Sequence, residues 1–590
     1  MQRTPVEPEA LPETPAGLDL SGITVRYPGT RADALADVSV AVEPGAIGGL
    51  TGRTGAGKST LALTAAGFVP RVVRARVTGA ASVAGIEVLR APASDVLGRI
   101  GIVFATPANQ LSASKLSVRE ELAFGLENLG VPRSEMDARI EATLDRLGIG
   151  HLADREPFAL SGGEQQRVAI ASIVAMGTRV LILDEPTAQL DPFGTTLVAD
   201  LLEELARDGS AVLVAEQDPA VLARTRRTTV LDHGQVVATA DPAVALSPET
   251  LEPTGLPSPT IVRLGWMAGL EPAGRFDLDA VSTRLAAAAT AGRLRSSVLA
   301  NEPNGPSATE PWASVRDQAP VSITIEGLSH RYEATALDAI RDVALTIEPG
   351  EAVAIVGQNG SGKTTLVKHL NGLLRPSSGR VRIGGEDIAT ASIDEIAGRV
   401  GFVFQSPDDQ LFERSVEREI AFGPRNLGLR PDALARAIEM AVEAVALGDV
   451  RSTNPYDLDL SRRKLVALAG VLAMDPAVLV LDEPTTGQDP LGIRRVGAVV
   501  DRLRAAGRTV VAVTHDMEFA ADHFSRVIVM TRGEVVLDGP PAAVFAAERT
   551  ALLARAGIER PVAARVGERL GLGSTPTEAA LLAALSASVH

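Results

Sequence analysis

The pattern G-x-x-x-x-G-K-[ST], a glycine-rich phosphate-binding loop (P-loop), occurs twice in the 590 residues. The first copy comprises Gly52, Arg53, Thr54, Gly55, Ala56, Gly57, Lys58 and Ser59, followed by Thr60, and the second comprises Gly357, Gln358, Asn359, Gly360, Ser361, Gly362, Lys363 and Thr364, followed by Thr365. In such a loop, backbone N–H groups surround phosphate oxygens, the lysine neutralises phosphate charge and the hydroxyl ligates Mg²⁺. We therefore predict two nucleotide sites, with Ser59 and Thr364 as metal ligands.

A pair of acidic residues follows each P-loop at the end of an apolar run. Asp184 and Glu185 form the first pair, and Asp482 and Glu483 form the second. One carboxylate of such a pair suits Mg²⁺, and the other suits polarisation of a water molecule. We expect Asp184 and Asp482 to ligate Mg²⁺ and Glu483 to act in catalysis.

The elements that position these residues are predicted to alternate between strands and helices. Residues 47–50 and 352–356 lead into the P-loops, and residues 179–183 and 477–481 lead into the acidic pairs. Short apolar runs that end at polar turns are typical of parallel strands buried on both faces, with helices between them. The fold class is therefore predicted as α/β, with two tandem P-loop domains.

The second half of the chain repeats the first. Lys58 and Lys363 lie 305 residues apart and Glu185 and Glu483 lie 298 apart, so the copies differ by short insertions or deletions. The tails also correspond, which predicts a helical appendix for each half. The predicted organisation is a disordered N-terminus (1–17), domain 1 (18–245), appendix 1 (246–300), a proline-rich linker (301–320), domain 2 (321–545) and appendix 2 (546–590).

Composition limits the compartment and the partners. No apolar run approaches the ~20 residues that span a bilayer, and the acidic, proline-rich start lacks the order of a signal peptide. The absence of cysteine excludes disulfides and thiolate metal sites, and the net charge of −16 disfavours a nucleic-acid-binding surface. We expect a cytoplasmic protein that reaches a membrane only through a partner protein.

A third motif, Leu160-Ser161-Gly162-Gly163-Glu164, precedes a helical run at 168–176. With the P-loops and acidic pairs it resembles the ATP-binding cassette (ABC) family, over residues 18–245 and 321–545. The resemblance implies two ABC nucleotide-binding domains, each with a helical signature subdomain, that hydrolyse Mg-ATP to ADP and phosphate. It also implies that the halves pair head to tail, so that the site at one P-loop uses the other half's signature, here Ser161, Gly162, Gly163 and Glu164.

Two tyrosines match a further feature of such cassettes. Tyr27 and Tyr332 stand upstream of the P-loops, where the family has an aromatic residue that stacks on adenine. A tyrosine at a strand end is equally compatible with ordinary packing.

Residues 404–412, 419–424 and 121–130 resemble the ATPases of energy-coupling factor (ECF) transporters, especially the fused tandem forms. This implies an ATPase on the cytoplasmic face of the membrane that drives a membrane T component carrying a substrate-capturing S component, for import of a vitamin or transition-metal ion. Segments 105–112 and 405–412, with Leu111, Leu411 and Phe412 as apolar anchors, are expected either to dock on the T component or to cap their own domains. A tandem sugar-importer ATPase, or a soluble cassette protein acting on ribosomes or DNA, remains an alternative.

The two sites are predicted to be unequal. The resemblance gives the Lys363 site Gln405, which bridges Mg²⁺ and the attacking water, and His515, which contacts the γ-phosphate. At the Lys58 site Ala105 and Gln217 replace them, and the offset of 298 sets four substitutions opposite the intact signature: Asp459, Leu460, Ser461 and Arg462. A shifted register beginning at Leu460 also lacks glycine. We predict that the Lys363 site hydrolyses ATP while the Lys58 site binds Mg-nucleotide and turns it over slowly; neutral drift with two active sites is the alternative.

Overall fold

The structure is a computed structural model that describes residues 17–295, 312, 314, 316, 319–332 and 338–589. The predicted disordered N-terminus, apart from Gly17, and most of the predicted linker lie outside the described residues. The chain divides into two units, one formed by residues 1–190 and 194–245 and the other by residues 191–193 and 246–590.

Residues 17–245 form two β-sheets and eight α-helices. The strands are β1 (Leu18–Arg26), β2 (Leu35–Val42), β3 (Ile47–Gly52), β4 (Arg76–Val83), β5 (Ile86–Glu87), β6 (Ile100–Val103), β7 (Val180–Asp184), β8 (Ala211–Ala215), β9 (Arg227–Asp232) and β10 (Gln235–Ala240). The helices are α1 (Lys58–Ala65), α2 (Ala93–Val96), α3 (Val118–Asn128), α4 (Arg133–Arg146), α5 (Gly162–Ala175), α6 (Pro192–Arg207), α7 (Pro219–Leu222) and α8 (Pro242–Ala245).

The same plan recurs in the second half. After α9 (Pro248–Leu251), α10 (Thr260–Met267) and α11 (Leu278–Thr290), the strands are β11 (Ile323–His330), β12 (Ile340–Ile347), β13 (Ala352–Val356), β14 (Ser378–Ile383), β15 (Glu386–Asp387), β16 (Val400–Val403), β17 (Val478–Asp482), β18 (Thr509–Val513), β19 (Arg526–Thr531) and β20 (Glu534–Gly539). The helices are α12 (Lys363–Leu370), α13 (Ile393–Ala397), α14 (Val416–Asn426), α15 (Pro431–Ala444), α16 (Leu460–Leu472), α17 (Pro490–Ala505), α18 (Met517–His523), α19 (Pro541–Val544), α20 (Thr550–Arg555), α21 (Val562–Arg569) and α22 (Glu578–Val589).

Each half contains one four-stranded antiparallel sheet and one six-stranded sheet, in the orders β2-β1-β4-β5 and β10-β9-β3-β8-β7-β6, then β12-β11-β14-β15 and β16-β17-β18-β13-β19-β20. In the six-stranded sheets the P-loop strands β3 and β13 are central, and every pair is parallel except β9–β10 and β19–β20 at one edge. This architecture confirms the predicted α/β class with two P-loop domains.

The parallel strands are buried on both faces because a separate core covers each face. In β7, Leu181 and Leu183 belong to a core shared with the helical subdomain of α3, α4 and α5, whereas Val180 and Ile182 belong to a core shared with the antiparallel sheet. In β17, residues 478–481 alternate between two cores in the same way. Side chains that alternate between two buried faces explain the continuous apolar runs seen in the sequence.

The two helical appendices lie together in the second unit. Leu264 of α10 and Leu285 of α11 share one hydrophobic core with Val566 of α21 and Leu581 of α22. Arg263 on α10 also donates from Nε to both carboxylate oxygens of Glu578 on α22, at 3.0 Å each. The sequence repeat gives each half its own appendix, but the structure joins the two into one helical layer because each supplies half of its core.

The end of the predicted linker contacts the second unit. Trp312 is 5% exposed and belongs to that unit's core. The Ser314 hydroxyl and the Arg316 backbone N–H each donate to Asp475, at 2.8 Å, and Asp475 also pairs with Arg508 at 2.9 Å. Asp475 thus anchors this part of the segment.

Candidate nucleotide sites

The predicted site residues gather at the carboxyl edge of each six-stranded sheet. β3 and β13 lead into the P-loops, while β7 and β17 end at the first acid of each pair. Parallel pairing sets Val103 of β6 beside Leu183 and Val403 of β16 beside Leu481, so Ala105 and Gln405 follow at the same edge. Ligands of open α/β sheets bind at this edge, beyond the carboxyl ends of the strands.

The P-loop lysines are buried inside their own loops. Lys58 and Lys363 are 4% and 5% exposed. Each Nζ donates to the carbonyl oxygens of the first two loop residues, at 2.9 and 3.2 Å for Lys58 and at 2.7 and 3.0 Å for Lys363. These bonds hold the ammonium group at the start of α1 or α12, where the N-terminal end of the helix also favours an anion.

The first glycine of each P-loop leaves no space for a side chain. Gly52 and Gly357 have φ of 148° and 154°, and a Cβ there would lie 2.2 Å from the Leu231 carbonyl oxygen or 2.3 Å from the Met530 carbonyl oxygen. A backbone packed this closely explains why the pattern requires glycine at these positions. The resulting cradle of backbone N–H groups fits a polyphosphate.

The predicted magnesium ligands lie together in both halves. Thr364 Oγ1 donates to Asp482 Oδ1 at 3.0 Å, and the hydroxyl of Ser59 hydrogen-bonds to Asp184. Burial raises the pKa of both aspartates to about 6, and Asp184 Oδ1 is buried with no hydrogen-bond partner among the described residues. A buried, under-satisfied carboxylate beside a hydroxyl suits Mg²⁺, which prefers oxygen ligands, so the residues fit this ion.

In the second half, the predicted catalytic glutamate is paired with the predicted histidine. His515 Nδ1 lies 2.8 Å from Glu483 Oε2. Burial raises the pKa of Glu483, but the charge and hydrogen bond of His515 outweigh it and hold that pKa below its ordinary value. Burial likewise lowers the pKa of His515, and Glu483 raises it above its usual value. The pair therefore favours an ionised carboxylate, as a base that orients water requires.

In the first half, the corresponding glutamate has a different partner. Glu185 Oε1 lies 3.6 Å from Nζ of the P-loop lysine Lys58, and the position of His515 is taken by Gln217. Because this contact uses the ammonium group that would neutralise phosphate, Glu185 and a nucleotide compete for Lys58. The two halves thus differ in their own internal geometry.

A buried acid that the sequence analysis missed lies beside this site. Glu216 Oε2 accepts from the Thr187 hydroxyl at 2.6 Å, and burial raises the pKa of Glu216 to about 7. The offset of 298 sets it opposite Thr514, whose hydroxyl lies 3.3 Å from that of Thr485. The signal was therefore present in the alignment of the two halves.

Both acidic pairs contain a residue in a left-handed backbone conformation. Glu185 and Glu483 have φ of 48° and 51°, which costs about 1–3 kcal/mol for a residue other than glycine. The N–H of each donates to the neighbouring strand, at 2.8 Å to Ala215 and at 2.9 Å to Val513. Such strain at two corresponding positions supports a functional rather than an incidental turn.

Lys464, on α16, was also missed. It is 7% exposed, and its Nζ donates to the backbone carbonyl of Glu483 at 3.1 Å. Burial lowers the pKa of Lys464 to about 8, although the carboxylates of Glu483 and Asp482 oppose this effect. The offset of 298 sets it opposite Gln166, so this signal too was present in the alignment.

The signature segments begin equivalent helices. Ser161 is the N-cap of α5, where its hydroxyl and its N–H both bond to Glu164 Oε2, and Asp459 is the N-cap of α16, where it accepts from the Arg462 N–H at 2.8 Å. The shared cap position favours the ungapped register. Ser461 is 4% exposed and donates to Gln488 in its own half, so its side chain faces the interior at the start of α16.

The two tyrosines have the same local geometry. Tyr27 OH lies 3.1 Å from Thr60 Oγ1, and Tyr332 OH lies 3.1 Å from Thr365 Oγ1. Each ring is therefore held against the helix that begins at the P-loop lysine. This contact is compatible with both adenine stacking and ordinary packing, so the role of the two rings stays a prediction.

Two of the three predicted apolar anchors are part of the core. Leu111 and Leu411 are 6% and 3% exposed and belong to hydrophobic cores, whereas Phe412 is 57% exposed. For the two leucines the interpretation as caps of their own domains is correct, because their side chains face inward.

No described helix is both long and apolar enough to cross a membrane.

Comparison with known proteins agrees with the geometry. The ABC transporter family profile matches residues 35–188 and 340–486. An ABC transporter ATP-binding protein of Methanosarcina acetivorans is 36% identical over 560 residues, which cover 94% of this chain and 90% of that protein. One of Streptomyces avermitilis is 34% identical over 551 residues, covering 89% of this chain and 94% of that protein.

Among solved structures, cbiO1 from Clostridium perfringens, part of the ABC transporter complex cbiONQ, is 32% identical, with 43% of this chain and 100% of that chain covered and a TM-score of 0.37. Both P-loops and both acidic pairs lie within the two profile matches, and the two appendices lie outside them. The fold, the cradle and the oxygen ligands are those of a Mg-ATP-dependent ATPase. The chain belongs to the ABC transporter ATP-binding family and carries two of its ATPase domains.

Proposed function

We propose that this chain is the ATPase subunit of an ECF-type importer for a vitamin or transition-metal ion, and that its Lys363 half carries most of the hydrolysis. The ion pair between Glu483 and His515 carries the assignment of hydrolysis to the Lys363 half, because it favours an ionised carboxylate beside the nucleotide cradle. In the other half, Glu185 instead approaches Lys58. The importer type rests on the resemblance of residues 404–412, 419–424 and 121–130 to ECF ATPases. Pairing of the Lys363 P-loop with the signature at Ser161 is part of the proposal and rests on the family resemblance.

In the hydrolysis of Mg-ATP, these residues would have distinct roles. Lys363 and the backbone of its loop would bind the phosphates, Thr364 and Asp482 would hold Mg²⁺, and Glu483 would orient the attacking water and accept a proton from it. Bound Mg²⁺ supplies charge neutralisation on the phosphate oxygens. Gln405 would help to hold Mg²⁺ and the attacking water, because it follows β16, next to the strand that ends at Asp482.

Glu483→Gln and Glu185→Gln form a matched pair that tests the asymmetry. Phosphate release should fall by at least about a hundredfold in Glu483→Gln, since the amide cannot accept the proton. In Glu185→Gln most turnover should remain. Both variants should still bind a fluorescent ATP analogue, which serves as the control for folding. Equal losses in the two variants would contradict the proposal.

Phe412, Phe422 and Tyr456 form an exposed aromatic patch in the second half. The three side chains are 57%, 39% and 51% exposed. The rings of Phe412 and Phe422 lie 4.6 Å apart, and Tyr456 OH donates to the carbonyl of Leu411 at 2.6 Å. Clustered exposed aromatic side chains are typical of an interface, and we propose that the T component covers this patch.

Replacing Phe412 and Phe422 together by serine tests this surface. The double variant should lose co-purification with membranes of the native host while keeping its ATP affinity. Val237→Ser, at a residue that is 46% exposed on the edge strand β10, is the control. Unchanged membrane recovery of the double variant would show that the patch is not the docking surface.

The membrane subunits that co-purify with the unmodified protein test the ECF assignment itself. A T component with an S component supports it. A pair of sugar-type permeases, or co-sedimentation with ribosomes in place of membranes, would contradict it.

A further inference from the structure

Lys464 makes a contact that the roles described so far do not use. It lies one turn after the Asp459 N-cap of α16, in the helix that begins with the altered signature. Its Nζ, buried in its own half, donates to the backbone carbonyl of Glu483 at 3.1 Å. The lysine therefore joins this helix directly to the predicted catalytic residue.

The first half has no such contact. Gln166, the counterpart on α5, is fully buried, and its side-chain nitrogen and oxygen both lack a hydrogen-bond partner among the described residues. The carbonyl of Glu185 accepts instead from the backbone N–H of Ala188, at 3.3 Å. Lys464 therefore reaches the carbonyl of Glu483, whereas the shorter Gln166 makes no such bond to the carbonyl of Glu185.

Lys464 completes a set of bonds that fix Glu483. The N–H of Glu483 donates to the Val513 carbonyl at 2.9 Å, its carbonyl accepts from Lys464, and its carboxylate contacts His515 at 2.8 Å. Its backbone is left-handed, with φ of 51°, so this conformation depends on the surrounding contacts. Because backbone torsions direct the side chain, a bond to the carbonyl also orients the carboxylate.

The ammonium group also acts through its charge. Burial lowers the pKa of Lys464, whereas the carboxylates of Glu483 and Asp482 favour its charged form. A cation near Glu483 favours the ionised carboxylate in return.

We propose that Lys464 is a positioning residue for ATP hydrolysis: through the carbonyl of Glu483 it holds that carboxylate in the orientation that the attacking water requires. The inference rests on the proposed function, in which Glu483 is the catalytic base. It assigns to the altered signature helix a role within its own half.

Lys464→Met tests this role, because methionine has a similar volume and no donor. We expect kcat for phosphate release to fall about ten- to a hundredfold, as for a misdirected catalytic group, with KM for Mg-ATP unchanged. Lys464→Arg keeps a donor and should recover a large part of kcat. Gln166→Met, the matched change in the first half, should leave kcat unchanged.

Two results would overturn the inference. One is a folded Lys464→Met variant with normal kcat; the other is a loss of kcat that parallels a loss of ATP affinity and of melting temperature and that arginine does not restore. Should Lys464→Met fail to fold, Lys464→Gln takes its place with the same expectations. Glu483→Gln separates the two proposals: if it abolishes turnover while Lys464→Met is normal, only the present inference fails, whereas turnover in Glu483→Gln removes the proposed function.

Discussion

At the scale of single residues, the contrast between His515 and Gln217 sets the two sites apart. His515 contacts the carboxylate of Glu483, whereas a neutral amide stands at the matching position in the first half, beside the buried acid Glu216. An imidazole can carry positive charge near neutral pH and an amide cannot. The electrostatic difference between the two halves thus depends on very few substitutions.

Exchanging these residues should have unequal effects. His515→Gln should lower kcat about a hundredfold, because the general base loses the group that orients it and favours its ionisation. Gln217→His should give no gain, since Glu185 still approaches Lys58. Single-turnover phosphate release measures both effects, and analogue binding checks the folding. A variant Gln217→His with doubled turnover would show that the first site lacks only its histidine.

The sequence predicted the P-loops, the acidic pairs and His515 because their chemistry is tied to short local patterns. It did not predict Lys464 or Glu216, which lie in no motif and acquire meaning only through burial. A lysine three residues beyond Ser461 is compatible with an exposed helix face; only packing shows that its ammonium group faces inward. Leu411 is the opposite case. The sequence allowed it to dock on a partner or to cap its own domain, and its side chain belongs to the core.

At the scale of elements, α10 of the first appendix contacts the helix that follows His515. Thr260 Oγ1 donates to Glu518 Oε2 at 2.8 Å, and Glu518 lies on α18. Burial, and next the charge of Asp516, raise the pKa of Glu518 from 4.5 to about 7, against the opposing effect of Arg263. An appendix helix thus contacts the helix that follows His515, the predicted catalytic histidine.

The burial of Glu518 predicts a pH dependence of stability. Because the folded-state pKa of Glu518 is raised, its protonated form stabilises the fold; that contribution is complete below about pH 4.5 and is lost as the pH rises through about 7. Glu518→Gln, a neutral mimic of the acid, should therefore raise the melting temperature at pH 8 and change it little at pH 4.5. Calorimetry at the two pH values measures the difference. An equal effect at both pH values would show that the pKa of Glu518 is not raised in the folded protein.

The order of strands and helices was predictable from apolar periodicity, but the packing of the appendices was not. Matching residues in the two tails indicated similar helices in each half. Their sequence does not specify a partner, because an amphipathic helix can bury its apolar face against any complementary one. The shared core of α10, α11, α21 and α22 therefore had to be seen in the structure.

At the scale of the whole molecule, this shared core links segments from both sequence repeats within one unit. Leu285 on α11 is fully buried in it. Leu285→Ala should lower the free energy of unfolding of this layer by about 2–5 kcal/mol, through lost burial and the cavity left behind. Urea unfolding followed by circular dichroism measures this change. Arg284→Ala, at the exposed neighbour, is the control and should cost under about 0.5 kcal/mol; equal effects would contradict the shared core.

The contacts of Trp312, Ser314 and Arg316 with the second unit bear on which part of the chain connects the two units. Because the first appendix and these three residues all belong to the second unit, the proline-rich stretch between them begins and ends on the same body. Apart from residues 191–193, the chain passes from the first unit to the second near residue 245, at the end of α8. Cleavage of the backbone among residues 296–311 would consequently leave two fragments that the shared core of the four appendix helices holds together, as in a split reporter protein.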